Sequence, residues 1–229
     1  MKVGIMQPYF LPYIGYFQLI NAVDKYIIYD DVSFIKGGWI NRNRILLNGA
    51  AFKINVPMQG ASSFKNINEI NLGNNKEKLL QIIEQAYRKA PYYDKVFPLI
   101  SDIIKFDNAN LAVFISNSII KISEFLQIKT EMYLSSKVPK ENNLKGQEKV
   151  ISICELFGAT EYYNAIGGQD LYNKSIFASH NLDLRFLKTE IISYPQFKND
   201  FIPYLSILDV LMFNSVEKVN RMLDKFELI

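Results

Sequence analysis

The stretch KVGIMQPYFLPYIGYFQLINAVDKYIIYDD, residues 2–31, decides the fold class because it has the length and pattern of a βαβ unit. KVGIMQ is an apolar run that ends near Pro8 and Pro12, which predicts a buried strand followed by a loop. YIGYFQLINAVD has apolar spacing for one face of a helix. KYIIYDDV predicts a second buried strand that ends in two carboxylates. Strand, loop, helix and strand within about 30 residues form one βαβ unit, whose ligands bind at the carboxyl ends of the strands.

The remaining sequence predicts further strands and helices around an insertion. Asn48-Gly49 lies between two alternating runs and predicts an antiparallel hairpin of residues 41–47 and 51–56. Apolar periodicity predicts helices at residues 75–90, 107–126, 146–158, 169–179 and 202–224. Short apolar runs predict strands at residues 131–138, 161–168 and 182–190. We therefore expect an α/β fold with a Rossmann-like parallel or mixed sheet, flanking helices and an inserted β-hairpin and helical segment.

Length and composition fit one domain over residues 1–229, with a helical subdomain at about residues 74–128 as the alternative. Lys and Arg number 26 against 23 Asp and Glu, which argues against a nucleic-acid binder. The single cysteine, Cys154, favours a reducing compartment. No apolar run reaches the roughly 18 residues of a membrane span, and MKVGIMQP turns polar too soon for a signal peptide. We expect a cytoplasmic protein with no membrane insertion.

Candidate site residues follow the first two predicted strands. Gln7, Pro8 and Tyr9 come where the first strand ends, and Gly15 at the start of the helix would let a ligand approach the backbone. The alternative is an ordinary aromatic turn. Asp30 and Asp31 follow the second strand and are candidates for a general base or for binding a sugar hydroxyl, with a structural cap as the alternative. They have no Asp, Glu or His partners at metal-ligand spacing, so we predict no metal site.

The segment NRNR, residues 41–44, predicts an anion site. In an extended chain Arg42 and Arg44 point to one face, and Asn41 and Asn43 to the other. Two guanidinium groups on one face repel each other unless an anion such as a phosphate lies between them. Lys36 and Trp39, the only tryptophan, lie just upstream, so they would add a cation and a stacking surface. The alternatives are an exposed polar strand whose arginines pair with surface carboxylates, and a tryptophan that belongs to the core.

Later segments contribute weaker candidates. Gly167 and Gly168 follow a predicted strand and precede a helix, a placement that favours anion binding, although AIGGQDLY is not a complete nucleotide-binding motif. Gln196 could face the site. Asp209 is expected on a buried helical face, where pairing with Arg42 or Arg44 would compete with the anion site. Cys154 is interpreted as a core thiol and His180 as a surface or capping residue.

Taken together, the motifs QPYFLPYIGYFQLI, DKYIIYDDVSF, WINRNRI and INVPM resemble the WbqC-like family, as do LFGATEYYNAIGGQDLY and YPQFKNDFIPYLSILDVLMFN later in the chain. The resemblance covers most of the chain in the right order. It implies a role in bacterial surface-polysaccharide and O-antigen biosynthesis. The family's motif residues fall on Gln7, Pro8, Gly15, Tyr16, Asp30, Asp31, Trp39, Arg42, Asn43 and Arg44.

These observations suggest a transferase for a nucleotide-linked amino sugar, with N-acyl or aminoacyl transfer to the sugar amine. Arg42 and Arg44 would hold the diphosphate, while Asp30, Asp31 and Tyr16 are the catalytic candidates. The sequence identifies no cofactor. One alternative is a nucleotidyltransferase-like enzyme, because the layout around YIGY resembles enzymes with an HxGH motif. Tyr13 and Tyr16 replace both of its histidines. A second alternative is a non-catalytic assembly partner of a glycosyltransferase complex.

Overall fold

A central six-stranded sheet organises the protein, as seen in a computed structural model that describes residues 1–141, 143–198 and 200–229. The strands are β1 (Lys2–Met6), β2 (Lys25–Ile28), β3 (Arg42–Leu47), β4 (Ala50–Asn55), β5 (Met58–Gln59), β6 (Asn71–Leu72), β7 (Glu131–Leu134), β8 (Glu161–Ala165), β9 (Asp183–Thr189) and β10 (Phe226–Leu228). The sheet order is β10-β9-β8-β1-β2-β7. All neighbouring pairs are parallel except the β9–β10 pair at one edge. The expected α/β fold with a mixed sheet is confirmed.

Helices cover both faces of this sheet. They are α1 (Ile14–Asn21), α2 (Lys76–Tyr87), α3 (Tyr93–Lys105), α4 (Leu111–Phe125), α5 (Gly146–Leu156), α6 (Lys174–Ser179), α7 (Ile207–Phe213) and α8 (Val216–Leu223). The helix α1 shares a core with Tyr26 and Tyr163, whereas α5 packs with Val3 and Tyr162 on the opposite face. None of the helices in the described part of the chain is long and apolar enough to cross a bilayer.

The chain changes direction across the sheet between β1 and β8. It leaves β1 through α1 to reach β2, and it returns from β7 through α5 to β8 on the other side of β1. The loop after β1 leads to α1, whereas the loop after β8 leads to α6, which packs on the opposite face; the two loops therefore diverge and leave a crevice at the carboxyl ends of these strands. Open α/β sheets bind their ligands at such switch points.

The long segment between β2 and β7 adds the predicted hairpin and three helices. In the hairpin, Asn48 and Gly49 both have positive φ, and β3 pairs with β4 in the register Arg42 to Asn55. Both central residues of a type I′ turn need this backbone conformation, so the Asn-Gly signal is confirmed. The helices α2, α3 and α4 share one hydrophobic core with α1.

Several predicted helix boundaries are wrong, for local reasons. The helix expected at residues 107–126 begins at Leu111 because the side chain of Asn110 accepts a hydrogen bond from the Val113 amide at 3.1 Å and caps it. The helix expected at residues 202–224 is two helices, since Asn214 is extended and Ser215 caps α8. The helix expected at residues 169–179 is split into a 3₁₀ turn, Ile166–Leu171, and α6.

Candidate functional site

Two adjoining cavities lie at the carboxyl ends of the central strands. The larger, which we call the strand-end crevice, encloses about 450 Å³ between the ends of β1, β2 and β8 and the start of α5; its lining includes Gln7, Tyr9, Tyr29, Gln147, Asn164 and Gly168. The smaller, which we call the arginine pocket, encloses about 200 Å³ and is lined by Tyr9, Pro12, Tyr13, Trp39, Asn43, Arg44 and Tyr204. Tyr9 lines both cavities.

The strand-end crevice contains several of the residues that the sequence placed at strand ends. Gln7 and Tyr9 follow β1, and Gly167 and Gly168 follow β8. A Cβ at Gly168 would lie 2.8 Å from Nδ2 of Asn164, so glycine is needed for this close approach. No atom lies within 4 Å of the position a Cβ would take at Gly167, which is open.

The carboxylates of Asp30 and Asp31 form hydrogen bonds or ion pairs with neighbouring residues of the protein. The carboxylate of Asp30 is buried and accepts hydrogen bonds from the amide and the hydroxyl of Ser136 at 2.8 and 2.6 Å. Asp31 forms ion pairs with Lys140 at 2.8 Å and with Lys149 at 3.2 Å. Neither residue lines the strand-end crevice. These contacts give both carboxylates structural roles, and their predicted catalytic role stays a prediction.

Two lysines surround the Asp31 carboxylate close to the strand-end crevice. Burial alone would raise the pKa of Asp31, but hydrogen bonds from Lys140 and Ser135 and the charge of Lys149 lower it on balance. The Lys149 ammonium also lies 5.0 Å from the ring centre of Tyr29, which lines the crevice. Lys149 therefore places one positive charge beside the Tyr29 wall of the crevice.

Of the two arginines in NRNR, Arg44 lines the arginine pocket, whereas Arg42 contacts the Trp39 ring without lining the pocket. The Cζ atoms of Arg42 and Arg44 lie 6.0 and 5.7 Å from the ring centre of Trp39, whose side chain is half-exposed. In the part of the chain that the structure describes, neither arginine forms an ion pair with a carboxylate. The Nε of Arg44 is buried and has no hydrogen-bond partner among those residues.

Asn41 and Asn43 hold the backbone that presents these arginines. Nδ2 of Asn41 donates to the carbonyl of Val56 at 3.0 Å. Asn43 is buried; its Nδ2 donates to the carbonyl of Leu11 at 2.8 Å, and its Oδ1 accepts from the Arg44 amide at 2.8 Å. Asn43 also lines the arginine pocket together with Arg44. The side-chain amides of Asn41 and Asn43 thus hold the backbone, and a contact of either residue with a ligand stays a prediction.

Asp209 pairs with phenols and an amide, so the predicted pairing with Arg42 or Arg44 is wrong. Its carboxylate accepts hydrogen bonds from Tyr87 and Tyr194 at 2.8 Å each and from Nε2 of Gln196 at 2.6 Å. Burial raises the pKa of Asp209, although these hydrogen bonds partly oppose the effect. Gln196 is itself buried and also bonds the backbone of Ile202. It lines neither cavity.

Four other predicted residues lie outside the two cavities. Tyr16 is fully buried and donates to the carbonyl of Gln7 at 2.9 Å, and burial raises the pKa of its phenol. A Cβ at Gly15 would lie 2.4 Å from both Thr189 Oγ1 and the Tyr13 ring, so protein atoms fill that space. Pro8 is buried, and Lys36 is exposed on the turn before Trp39.

Cys154 and His180 are placed as interpreted from the sequence. The thiol of Cys154 is buried in the core beside α5, and burial raises its pKa to about 12. The ring of His180 lies 2.8 Å from the exposed carboxylate of Glu155. Across residues 1–141, 143–198 and 200–229, no three His, Cys, Asp or Glu side chains are grouped so as to hold a metal ion.

Sequence reasoning missed several residues of the site, of which three are instructive. Tyr29 and Asn164 line the strand-end crevice, and each lies at the end of a strand, so the rule that selected Gln7 would have selected them. Tyr204 lines the arginine pocket with positive φ and a largely exposed ring, in a stretch noted only for its prolines and tyrosines.

Comparison with known proteins agrees with the motifs. The model of the WbqC-like protein family matches residues 7–221. The chain belongs to the WbqC-like family. That match includes all residues that line the arginine pocket and all but Ile5 and Met6 of those that line the strand-end crevice, and the family is associated with polysaccharide biosynthesis. A relative in Mycobacterium tuberculosis, described as uncharacterized protein Rv1507c, is 29% identical over 218 residues, which is 93% of each chain. No solved structure matches the chain significantly.

Proposed function

We propose that the protein is an enzyme of surface-polysaccharide biosynthesis that transfers an acyl or aminoacyl group from a thioester or another activated acyl donor to the amine of a nucleotide-linked amino sugar. The amine nitrogen gains an amide bond to the acyl carbon, and the bond from that carbon to the donor breaks, so the donor leaves as a free thiol or another protonated leaving group. The observation that supports this most is the buried Nε of Arg44, which has no hydrogen-bond partner in the described residues and lies in a pocket lined by Trp39 and tyrosines. The proposed pathway rests on the association of the family with polysaccharide biosynthesis. The proposed ligand class rests on the charge of the arginines and on the shape of the two cavities.

Energies favour an anion beside these arginines. A buried N–H group without a partner costs about 1–3 kcal/mol. A guanidinium about 4 Å from a phosphate charge gains on the order of 4 kcal/mol at an effective dielectric of about 20, before desolvation. A bound diphosphate would satisfy Arg44 and also lie between the two positive charges that Arg42 and Arg44 bring to one face. The aromatic walls suit a flat sugar or base.

The two cavities provide places for the two ends of such a ligand. With the diphosphate in the arginine pocket, the nucleoside extends past Tyr9 into the strand-end crevice, whose volume of about 450 Å³ is in the range of small-molecule sites. The sugar then lies on the opposite side, near Tyr13 and Tyr204. The proposal assigns no general base, because Asp30 and Asp31 are held by Ser136, Lys140 and Lys149.

Calorimetric titration of a panel of nucleotide-linked amino sugars tests the ligand class. We expect one member to bind, and Arg44→Met to weaken its binding about 10- to 150-fold, the equivalent of one charge-assisted hydrogen bond of about 1.5–3 kcal/mol. The stability of Arg44→Met should be no lower than that of wild type, because in the described residues the substitution removes a buried Nε that has no hydrogen-bond partner. Arg185→Met, at a surface ion pair with Asp183, is the control.

Mass spectrometry of the bound sugar after incubation with acyl donors tests the reaction. We expect a product that is heavier by one acyl or aminoacyl group. Equal affinity of wild type and Arg44→Met would show that the arginine pocket does not hold the diphosphate. Absence of binding by every member of the panel would contradict the proposed function and favour an assembly partner.

A further inference from the structure

A third cavity, which we call the apolar pocket, adjoins the arginine pocket and shares no lining residue with the strand-end crevice. It shares Tyr13 and Tyr204 with the arginine pocket and encloses about 120 Å³. Most of its walls are hydrocarbon, from Ile14, Ile192, Phe201, Leu205 and Val210. Thr189 and Glu190 contribute polar atoms to its lining.

Hydrogen bonds fix two walls of the apolar pocket, so its shape exists before a ligand binds. The hydroxyl of Ser206 donates to the carbonyl of Leu11 at 2.7 Å, and its amide donates to the carbonyl of Arg44 at 2.8 Å. The amide of Ile207 donates to the carbonyl of Pro12 at 2.7 Å. These bonds hold the start of α7 against the loop before α1 and against β3, and therefore hold the apolar and arginine pockets side by side.

We infer that the apolar pocket receives a short apolar acyl group carried on the amine of the sugar. This inference rests on the proposed function and names the group transferred. With the diphosphate at Arg44 and the nucleoside in the strand-end crevice, the sugar lies by Tyr13 and Tyr204, where the apolar pocket opens. An apolar cavity of about 150 Å³ stays free of water and takes a benzene-sized molecule. The apolar pocket therefore suits about four to six carbon atoms.

Chemistry favours this occupant over a smaller or charged group. An acetyl group would leave most of the apolar walls without contact. The ammonium of an aminoacyl group would be surrounded mainly by hydrocarbon, where an unpaired charge is costly, although Glu190 could pair with it. Each methylene buried is worth about 0.8 kcal/mol, so affinity should rise about fourfold per methylene until the pocket is full.

Calorimetric titration with defined probes tests the inference. The probes are UDP, UDP-glucosamine and UDP-glucosamine whose amine carries an acetyl, butanoyl, hexanoyl or glycyl group. We expect butanoyl to bind about 15-fold tighter than acetyl, because it adds two methylenes. Ile192→Trp should abolish this dependence on chain length by filling the pocket, whereas Ile120→Trp, on the outer face of α4, should retain it. Thermal unfolding confirms that both variants are folded.

The outcomes separate this inference from the proposed function. Equal affinity for all acyl lengths, or tightest binding of the glycyl probe, would contradict the inference that the apolar pocket receives an apolar acyl group. Either result would leave the proposed binding of a nucleotide-sugar unchanged. If neither UDP nor any UDP-sugar bound to wild type, both the proposed function and the inference about the acyl group would be overturned for uridine nucleotides. Chain-length dependence that persists in Ile192→Trp would place the acyl group outside the apolar pocket.

Discussion

At the scale of single residues, the polar side chains of the site divide into those that build it and those left for a ligand. Asn41, Asn43 and Asp30 bond backbone or side-chain groups of the protein. Arg42 and Arg44 contact the ring of Trp39 and form no ion pair among the described residues. The sequence pattern selected residues of both groups as site candidates, because alternation along a strand predicts the face to which a side chain points. The pattern does not predict which group the side chain contacts on that face.

Asp31 is predicted to stabilise the protein by pairing with two lysines. Replacing it with asparagine leaves Lys140 and Lys149, both largely buried, without their counter-charge. We expect a loss of about 2 kcal/mol in the free energy of unfolding at pH 7, below the range for fully buried pairs because Asp31 keeps some solvent contact. Urea unfolding of wild type and Asp31→Asn measures this loss.

The effect should depend on pH in the acid range. The fold lowers the pKa of Asp31 below its ordinary value of 3.8. The contribution of Asp31 is therefore fully present above that value and is lost as pH falls through the lower pKa of the folded state. The difference between wild type and Asp31→Asn should shrink below about pH 4. A difference that stays constant from pH 7 to pH 3 would contradict this, and Asp183→Asn, at an exposed pair, is the control.

At the scale of elements, α1 illustrates how a glycine serves packing. Gly15 lies in the first turn of α1, directly against Thr189 of β9 and the ring of Tyr13. Glycine in this position was interpreted from the sequence as space for a ligand. The structure fills that space with protein, so the residue allows a helix and a strand to approach closely. A sequence signal for close approach does not say whether the approaching group is a ligand or another part of the chain.

Gly15→Ala should therefore destabilise the protein. The added Cβ would lie 2.4 Å from Thr189 Oγ1, which forces α1 away from β9. Overpacking of this kind costs about 1–3 kcal/mol. Thermal or urea unfolding measures the change, with Gly167→Ala as the matched control, because no atom lies within 4 Å of its added Cβ. Equal stability of the two variants would show that α1 moves without cost.

Most elements could be predicted from the sequence, and those that were missed have a local cause. The helix α3 contains Pro98, which normally argues against a helix interior. The strand β10 has only the residues Phe226–Leu228, too short for a periodic signal. The hairpin and β1–α1–β2 were predicted well because their turn residues and apolar patterns agree with the tertiary packing. The cavities could not be predicted, because they form where distant segments meet.

At the scale of the whole molecule, Asp209 connects parts of the chain that are far apart in sequence. Its carboxylate accepts bonds from Tyr87 on α2 and from Tyr194 in the loop after β9. Tyr87 also accepts a hydrogen bond from the amide of Leu46 on β3 at 2.9 Å. The inserted segment is thereby fixed to helix α7.

Tyr87→Phe should weaken this connection without changing the shape of the core. The loss of one hydroxyl leaves a buried amide at Leu46 and a carboxylate oxygen at Asp209 each without that partner. Unsatisfied buried groups cost about 1–3 kcal/mol each, so we expect a loss of about 3 kcal/mol in urea unfolding. Tyr133→Phe, whose hydroxyl contacts the exposed Glu131, should change stability little. If Tyr87→Phe lost no more stability than Tyr133→Phe, the hydrogen bonds that Tyr87 forms with Asp209 and Leu46 would not stabilise the protein.

The position of β1 between β2 and β8 also has a consequence for synthesis on the ribosome. One edge of β1 can pair with β2 soon after both strands have emerged from the ribosome. The other edge can pair only after β8, which ends at Ala165, has been synthesised. At about 5–20 residues per second, roughly 8 to 30 s separate the translation of the two strands. Throughout that interval the nascent chain carries an apolar strand with one open edge, and both walls of the strand-end crevice first meet when β8 arrives. This is the stage at which chaperone binding would most improve the yield of folded protein.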